Sequence, residues 1–166
     1  MKFNTKKIAT LSLLIAVAMI LSYVESLFPV FIAVPGVKLG LSNIATVFAL
    51  YTLGTSAAIC VSLVRVCLSS LLFGNVMGLI YSLAGAALAL IFMITLKKLT
   101  PLSSVGVSVA GGVAHNAGQV ISAAILMENA GIVSYLAPLV ISGTLSGILI
   151  GLCAGILVKR IEKFIK

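Results

Sequence analysis

Apolar residues fill six runs of the chain, at about 8–24, 39–53, 55–73, 76–96, 105–127 and 132–158, with polar and turn-forming residues collected between them. A bilayer core roughly 30 Å thick takes about 20 helical residues per crossing, so these runs predict an all-α, polytopic membrane protein with six transmembrane helices in one integral membrane domain, 1–166. The breaks are chemically distinct. Glu25 ends the first run, Leu53-Gly54 the second, and Gly74-Asn75 makes a tight turn after the third. Lys97 and Lys98 close the fourth, Thr100-Pro101-Leu102-Ser103-Ser104 breaks the chain before the fifth, and Glu128-Asn129-Ala130-Gly131 ends the fifth.

Two stretches depart from this pattern. Ser26 to Lys38 is apolar but too short to cross, and Pro29, Pro35 and Gly36 interrupt it, which predicts an interfacial or re-entrant loop. The second run is also short, so part of Pro35–Lys38 is expected at membrane depth, where non-helical backbone needs a cover of protein or a wet cavity. The sixth run is long enough to tilt or to be interrupted near Pro138, and an amphipathic tail, residues 159–166, follows it.

Composition agrees with the pattern: 61% of the 166 residues are hydrophobic, with no Trp, no Asp and only three acidic residues, Glu25, Glu128 and Glu162. The mean hydropathy of +1.31 leaves no soluble domain. Lys2, Lys6 and Lys7 ahead of an apolar run resemble the start of a signal peptide. No small-x-small cleavage site leads into a soluble domain, so the run is expected to be a retained span.

The net charge of +8 does not indicate nucleic acid. Eight of the eleven basic residues lie in three clusters bordering apolar runs, at 2–7, 97–98 and 159–163, where they act as topology signals and anionic-lipid contacts. With a cytoplasmic amino terminus every cluster falls inside, which predicts a multi-pass protein of the cell membrane with both termini cytoplasmic. Cys60, Cys67 and Cys153 all lie inside apolar runs without a C-x-x-C pair, as small buried residues do.

Small residues mark packing faces. Gly143, Gly147, Gly151 and Gly155 recur every fourth residue of the sixth run, and Gly78, Ser82, Gly85 and Ala89 share a face of the fourth. Such ridges let helices approach closely; packing inside the bundle is the favoured role and docking on a partner's membrane helix the alternative.

Chemistry concentrates in three places. Arg65 is near the middle of the third run, where a cation costs from a few to more than ten kcal/mol unless paired, hydrated or snorkelling; Ser62 and Ser69 share its face. A structural partner for it would be a helix C-terminus, Glu25 or Glu128. Lys38 and Asn43 lie in Pro35-Gly36-Val37-Lys38-Leu39-Gly40-Leu41-Ser42-Asn43, whose glycines suit a chain that turns sharply near something it approaches. The third place is Gly111-Gly112-Val113-Ala114-His115-Asn116-Ala117-Gly118-Gln119. In a helix it puts the only histidine and Gln119 one turn apart on one face, with Asn116 at its edge. These residues predict one outward-facing pocket lined by Lys38, Asn43, Arg65, His115, Asn116 and Gln119, whose positive charge favours a ligand with a carboxylate or phosphate.

Other chemistries lack their residues. There is no Walker A sequence for ATP hydrolysis, no Asp-rich cluster for magnesium diphosphate, and no second histidine for bis-histidine haem ligation. No catalytic set is recognisable by spacing, and no cofactor or metal is expected.

On the two long motifs and Arg65, the sequence resembles the bacterial Gx transporter family, also labelled heptaprenyl diphosphate synthase component I, over nearly its whole length. In size and six-helix plan that family looks like the substrate-binding S components of energy-coupling factor vitamin transporters. The resemblance implies a non-enzymatic subunit that captures a small anionic molecule from outside, with a separate membrane coupling protein and ATPases driving its reorientation. Where S components often carry Ala-x-x-x-Ala in the first span, the nearest matches here are Ser12-x-x-x-Ala16 and Ala18-x-x-x-Ser22. The enzymatic label implies instead a non-catalytic membrane accessory of a polyprenyl diphosphate synthase. A third implication is a subunit of a flavin- or quinone-linked membrane redox system.

Overall fold

The structure, a computed structural model, describes residues 5–27 and 40–165, the last four of these by backbone alone. Among the described residues there are six α-helices and no strand: α1 (Thr5–Leu27), α2 (Asn43–Thr52), α3 (Thr55–Phe73), α4 (Val76–Leu99), α5 (Ser104–Leu126) and α6 (Leu136–Ile165). A turn of 3-10 helix, Ala130–Tyr135, leads into α6. Five of these segments are long and apolar enough to cross a membrane, which makes this a multi-pass α-helical membrane protein. The loop expected over 26–38 and the start of the second span lie almost wholly outside the described residues, as do Lys38 and the side chains of the tail from Glu162 onward.

The second helix is shorter than the run that predicts it. Ten residues rise only about 15 Å, half the bilayer core, so α2 cannot cross alone. It is nevertheless the most enclosed helix: Ala45 through Leu50 are all buried, against one buried residue, Ala18, in the much longer α1. A half-length helix must find partners for its terminal polar groups: Asn43 and Ile44 at the start of α2 donate their amides to the Gly40 and Leu41 carbonyls just before it. At its C-terminus the Lys97 ammonium donates to the Leu50 carbonyl and stands 4.8 Å over the Tyr51 ring.

The turns follow their residue types. Asn75 caps α4 by accepting the Gly78 amide at 2.7 Å, and Asn129 accepts the Gly131 amide at 2.9 Å. Pro138 falls in the first turn of α6, where its missing N–H costs no hydrogen bond, so the helix continues through it.

Helices α4, α5 and α6 form an antiparallel sheaf built on glycine. A Cβ on Gly112 would lie 2.5 Å from the Gly143 carbonyl oxygen, one on Gly147 2.6 Å from Val109 Cα, and one on Gly151 2.5 Å from Val105 Cα. Across the other interface, a Cβ on Gly85 would meet the His115 carbonyl at 2.7 Å, and one on Gly118 the Ala84 carbonyl at 2.8 Å. The ridge of the sixth run therefore packs inside the bundle, and no side chain larger than hydrogen fits there without parting the helices.

The tilted Tyr23–Phe73 ring pair joins the C-terminal ends of α1 and α3, while Lys97 joins the C-terminal ends of α4 and α2. Ser104 at the start of α5 donates to the Gly151 carbonyl in the C-terminal half of α6. These contacts gather Lys6, Lys7, Lys97, Lys98, Lys159 and Arg160 at one end of the bundle, opposite Glu25, Asn75 and Glu128.

Candidate binding site

Arg65 is buried, with 9% of its surface exposed, just over halfway along α3 from the basic end. Its guanidinium donates to Ser42 Oγ at 2.7 Å and to Asn43 Oδ1 at 3.0 Å, the two residues that open α2. The third nitrogen, Nε, is buried and has no hydrogen-bond partner among the described residues. Glu25, at the end of α1, acts on the guanidinium electrostatically and accepts the Gly40 amide. Gly40 is held at φ +69°, a conformation costly for any side chain, and a Cβ there would also press on Asn43 Nδ2 at 3.1 Å. The glycine expected to turn the chain sharply does so at Gly40; Gly36 is outside the described residues.

Arg65 thus ties three helices together: α3 carries it, α2 supplies two acceptors, and α1 supplies the counter-charge. The site is not a bare cation, because Glu25 offsets it in part. The orphan Nε is what distinguishes the cluster from a closed structural salt bridge: a buried guanidinium donor with no acceptor costs free energy until something accepts from it.

Beside this cluster lies a narrow cavity of about 20 Å³, room for one or two water molecules. Asn43 and Thr46 of α2, Ser62 of α3, and Ser108, Gly111, Gly112 and His115 of α5 line it, with Ala86, Ala89 and Met93 of α4 and Ile150 of α6 as apolar wall. Ser108, Gly111, Gly112 and His115 share one stripe of α5 by their spacing of three, four and seven. Among the described residues no group of three His, Cys, Asp or Glu is placed to hold a metal.

Of the six residues predicted from sequence, the structure brings together Asn43, Arg65 and His115. Asn116 does not join them. It is one position, or about 100°, further round α5, and its amide donates to the Leu139 carbonyl at 2.6 Å, holding α5 to α6. Gln119 lies a turn beyond His115 with its aliphatic stem against Gly85 of α4, and it does not line the cavity. Lys38 falls outside the described residues. The polar lining not predicted as site is Thr46, Ser62 and Ser108. Each carried a spacing signal: Thr46 is a turn from Asn43, Ser62 a turn from Arg65, and Ser108 two turns from His115.

Fold and cluster together define a multi-pass α-helical membrane protein with a charged, partly unsatisfied polar centre among its helices. Residues 14–157 match the model of the family described as heptaprenyl diphosphate synthase component I, and the chain belongs to that family. Comparison with curated proteins and with solved structures gives no match.

Proposed function

We propose that this chain is the ligand-capturing subunit of a small-molecule uptake system: it binds an anionic molecule from the outer side of the membrane and performs no chemistry itself. A separate membrane coupling protein and ATPases energise it, as its resemblance to S components implies. The observation that carries this reading is the buried Arg65 with its unpartnered Nε, hydrogen-bonded to Asn43, which lines a small cavity together with His115. A cation buried among membrane helices is a functional feature by default, and the planar guanidinium suits carboxylate or phosphate. Gathering of the basic side chains at one end supports cytoplasmic termini and an outer mouth on the Glu25 side, in a bacterial cell membrane. The cavity is water-sized, so a ligand enters by widening it, with α2 as the piece short enough to shift.

A second reading has a specific observation behind it. The family description makes this chain component I of a prenyl synthase, hence a membrane accessory to a separate catalytic subunit. Native mass spectrometry of the detergent-purified protein, wild type beside Arg65→Ala, separates the two. A small molecule carried by the wild type and lost from the variant is expected. An empty wild-type chain that retains a prenyl synthase subunit overturns the uptake reading.

A further inference from the structure

The residues around the cavity fall at different depths. Measured along the helix axes from the basic end, Arg65 is ten residues into α3 and His115 eleven into α5, about 15 and 16 Å, so they share a level with Asn43. Ser62 is about 10 Å from that end, Ser108 about 6 Å, and Thr46 is one turn further in than Asn43. Asn43 and His115 thus form the upper level of the cavity, with Arg65 bound to Asn43 at the same height, and beneath them lies a floor of hydroxyls with no charged side chain among the lining residues.

One hydroxyl of that floor is unsatisfied. Thr46 is 1% exposed, and its hydroxyl is buried with no hydrogen-bond partner among the described residues although the residue lines the cavity. Ser62 and Ser108 are each 3% exposed on the same cavity. A serine or threonine in a membrane helix ordinarily returns its hydroxyl to a carbonyl three or four residues back, as Thr52, Thr100 and Thr144 do here at 2.6–2.8 Å. Thr46 does not. Three hydroxyls from three helices converging on space for one or two heavy atoms form a recess for a small uncharged hydrogen-bonding group. A second anionic group is disfavoured there, since Arg65, the one cation beside the cavity among the described residues, is a level above.

We infer that the site binds at two levels, and that its ligand joins an anionic group, held by Arg65, to a short uncharged polar end seated among Thr46, Ser62 and Ser108; water fills this floor when the ligand is absent. This rests on the uptake reading for its direction of entry but names residues that reading does not use.

Small thiol reagents test it without knowledge of the ligand. In a protein with Cys60, Cys67 and Cys153 replaced by serine, Thr46→Cys, Ser62→Cys and Ser108→Cys are introduced singly, with lipid-facing Leu145→Cys as background, and reconstituted in nanodiscs. Sulfonatoethyl methanethiosulfonate carries its anion at one end and its neutral reactive sulfur at the other, the arrangement inferred for the ligand; the trimethylammonioethyl reagent carries a cation instead. With each rate taken relative to that reagent's rate with a free thiol in solution, the floor cysteines are expected to favour the sulfonate reagent over the cationic one, on the order of a few-fold since Glu25 offsets part of the Arg65 charge, and Arg65→Gln should abolish that preference. These near-isosteric changes leave three independent positions to read. Labelling of all three at the Leu145→Cys rate overturns the inner level, while a ligand lost from Arg65→Ala in native mass spectrometry would still stand. Equal relative rates with both reagents overturn the charged upper level.

Discussion

Replacing Gly147 with alanine is the sharpest test of how the bundle is held. The added carbon would lie 2.6 Å from Val109 Cα and 3.0 Å from the Ser108 carbonyl oxygen, both backbone atoms that no rotamer change can move. Carbon atoms in contact rest about 3.5–4.0 Å apart, so α5 and α6 must part by about 1 Å. The ridge from Gly143 to Gly155 runs for about 18 Å, and separation along it weakens the Ser104–Gly151 and Asn116–Leu139 hydrogen bonds as well. Overpacking of this kind costs about 1–3 kcal/mol, to be read as loss of helical circular dichroism on titration with SDS. Gly151→Ala, whose carbon would meet Val105 Cα at 2.5 Å, should cost a similar amount. The double variant should cost less than the sum, because helices already parted by the first methyl admit the second. Leu145→Ala, on the lipid face of the same helix, serves as the reference. A Gly147→Ala protein within about 0.5 kcal/mol of wild type would refute the reasoning, since no ordinary packing absorbs a 2.6 Å backbone contact.

Other outcomes follow from single contacts. Asn116→Ala removes the bond to Leu139 and should destabilise the protein by about 0.6–1.7 kcal/mol in the same titration, while leaving a ligand retained in native mass spectrometry. Lys97→Met removes the donor to Leu50 and the cation over Tyr51, costing about 1 kcal/mol; Lys98→Met, at an exposed position, should change stability by less than about 0.5 kcal/mol. Glu25→Gln keeps an acceptor for Gly40 but strips the counter-charge from Arg65, so a carboxylate or phosphate ligand should be held more tightly than in wild type, read as greater retention at equal collision energy.

The number and order of helices were legible because each long run carries its own hydropathy and its own stop, as Asn75 and Asn129 show. That the second run is short was legible too, but not that its helix is only ten residues long. Leu39 to Leu53 is mostly apolar, with polar side chains scattered from Ser42 to Thr52, and hydropathy does not say where along such a run the backbone begins to coil. Within the site, depth was legible and rotation was not. Positions along the third and fifth runs already put Arg65 and His115 near mid-length of each, and the helix lengths place them at one level. Whether Asn116 or Ser108 faces the same neighbour as His115 depends on how α5 is turned against α4 and α6, and the close glycine contacts fix that turn. Those contacts point Asn116 at Leu139 and leave the 108–111–112–115 stripe on the cavity. Arg65 announced itself by cost alone; its acceptors at Ser42 and Asn43 belong to another helix, more than twenty residues away.

The two-ended tether of α2 also bears on how the protein is made. A ten-residue helix offers too little apolar length to be retained by the bilayer as it is synthesised, and its anchors come later in the chain: Arg65 with α3, Lys97 only at the end of α4. The order of translation is therefore not the order of assembly. α2 reaches its place by folding back onto helices inserted after it. A ribosome-bound chain halted before residue 97 would hold that helix by its front end alone.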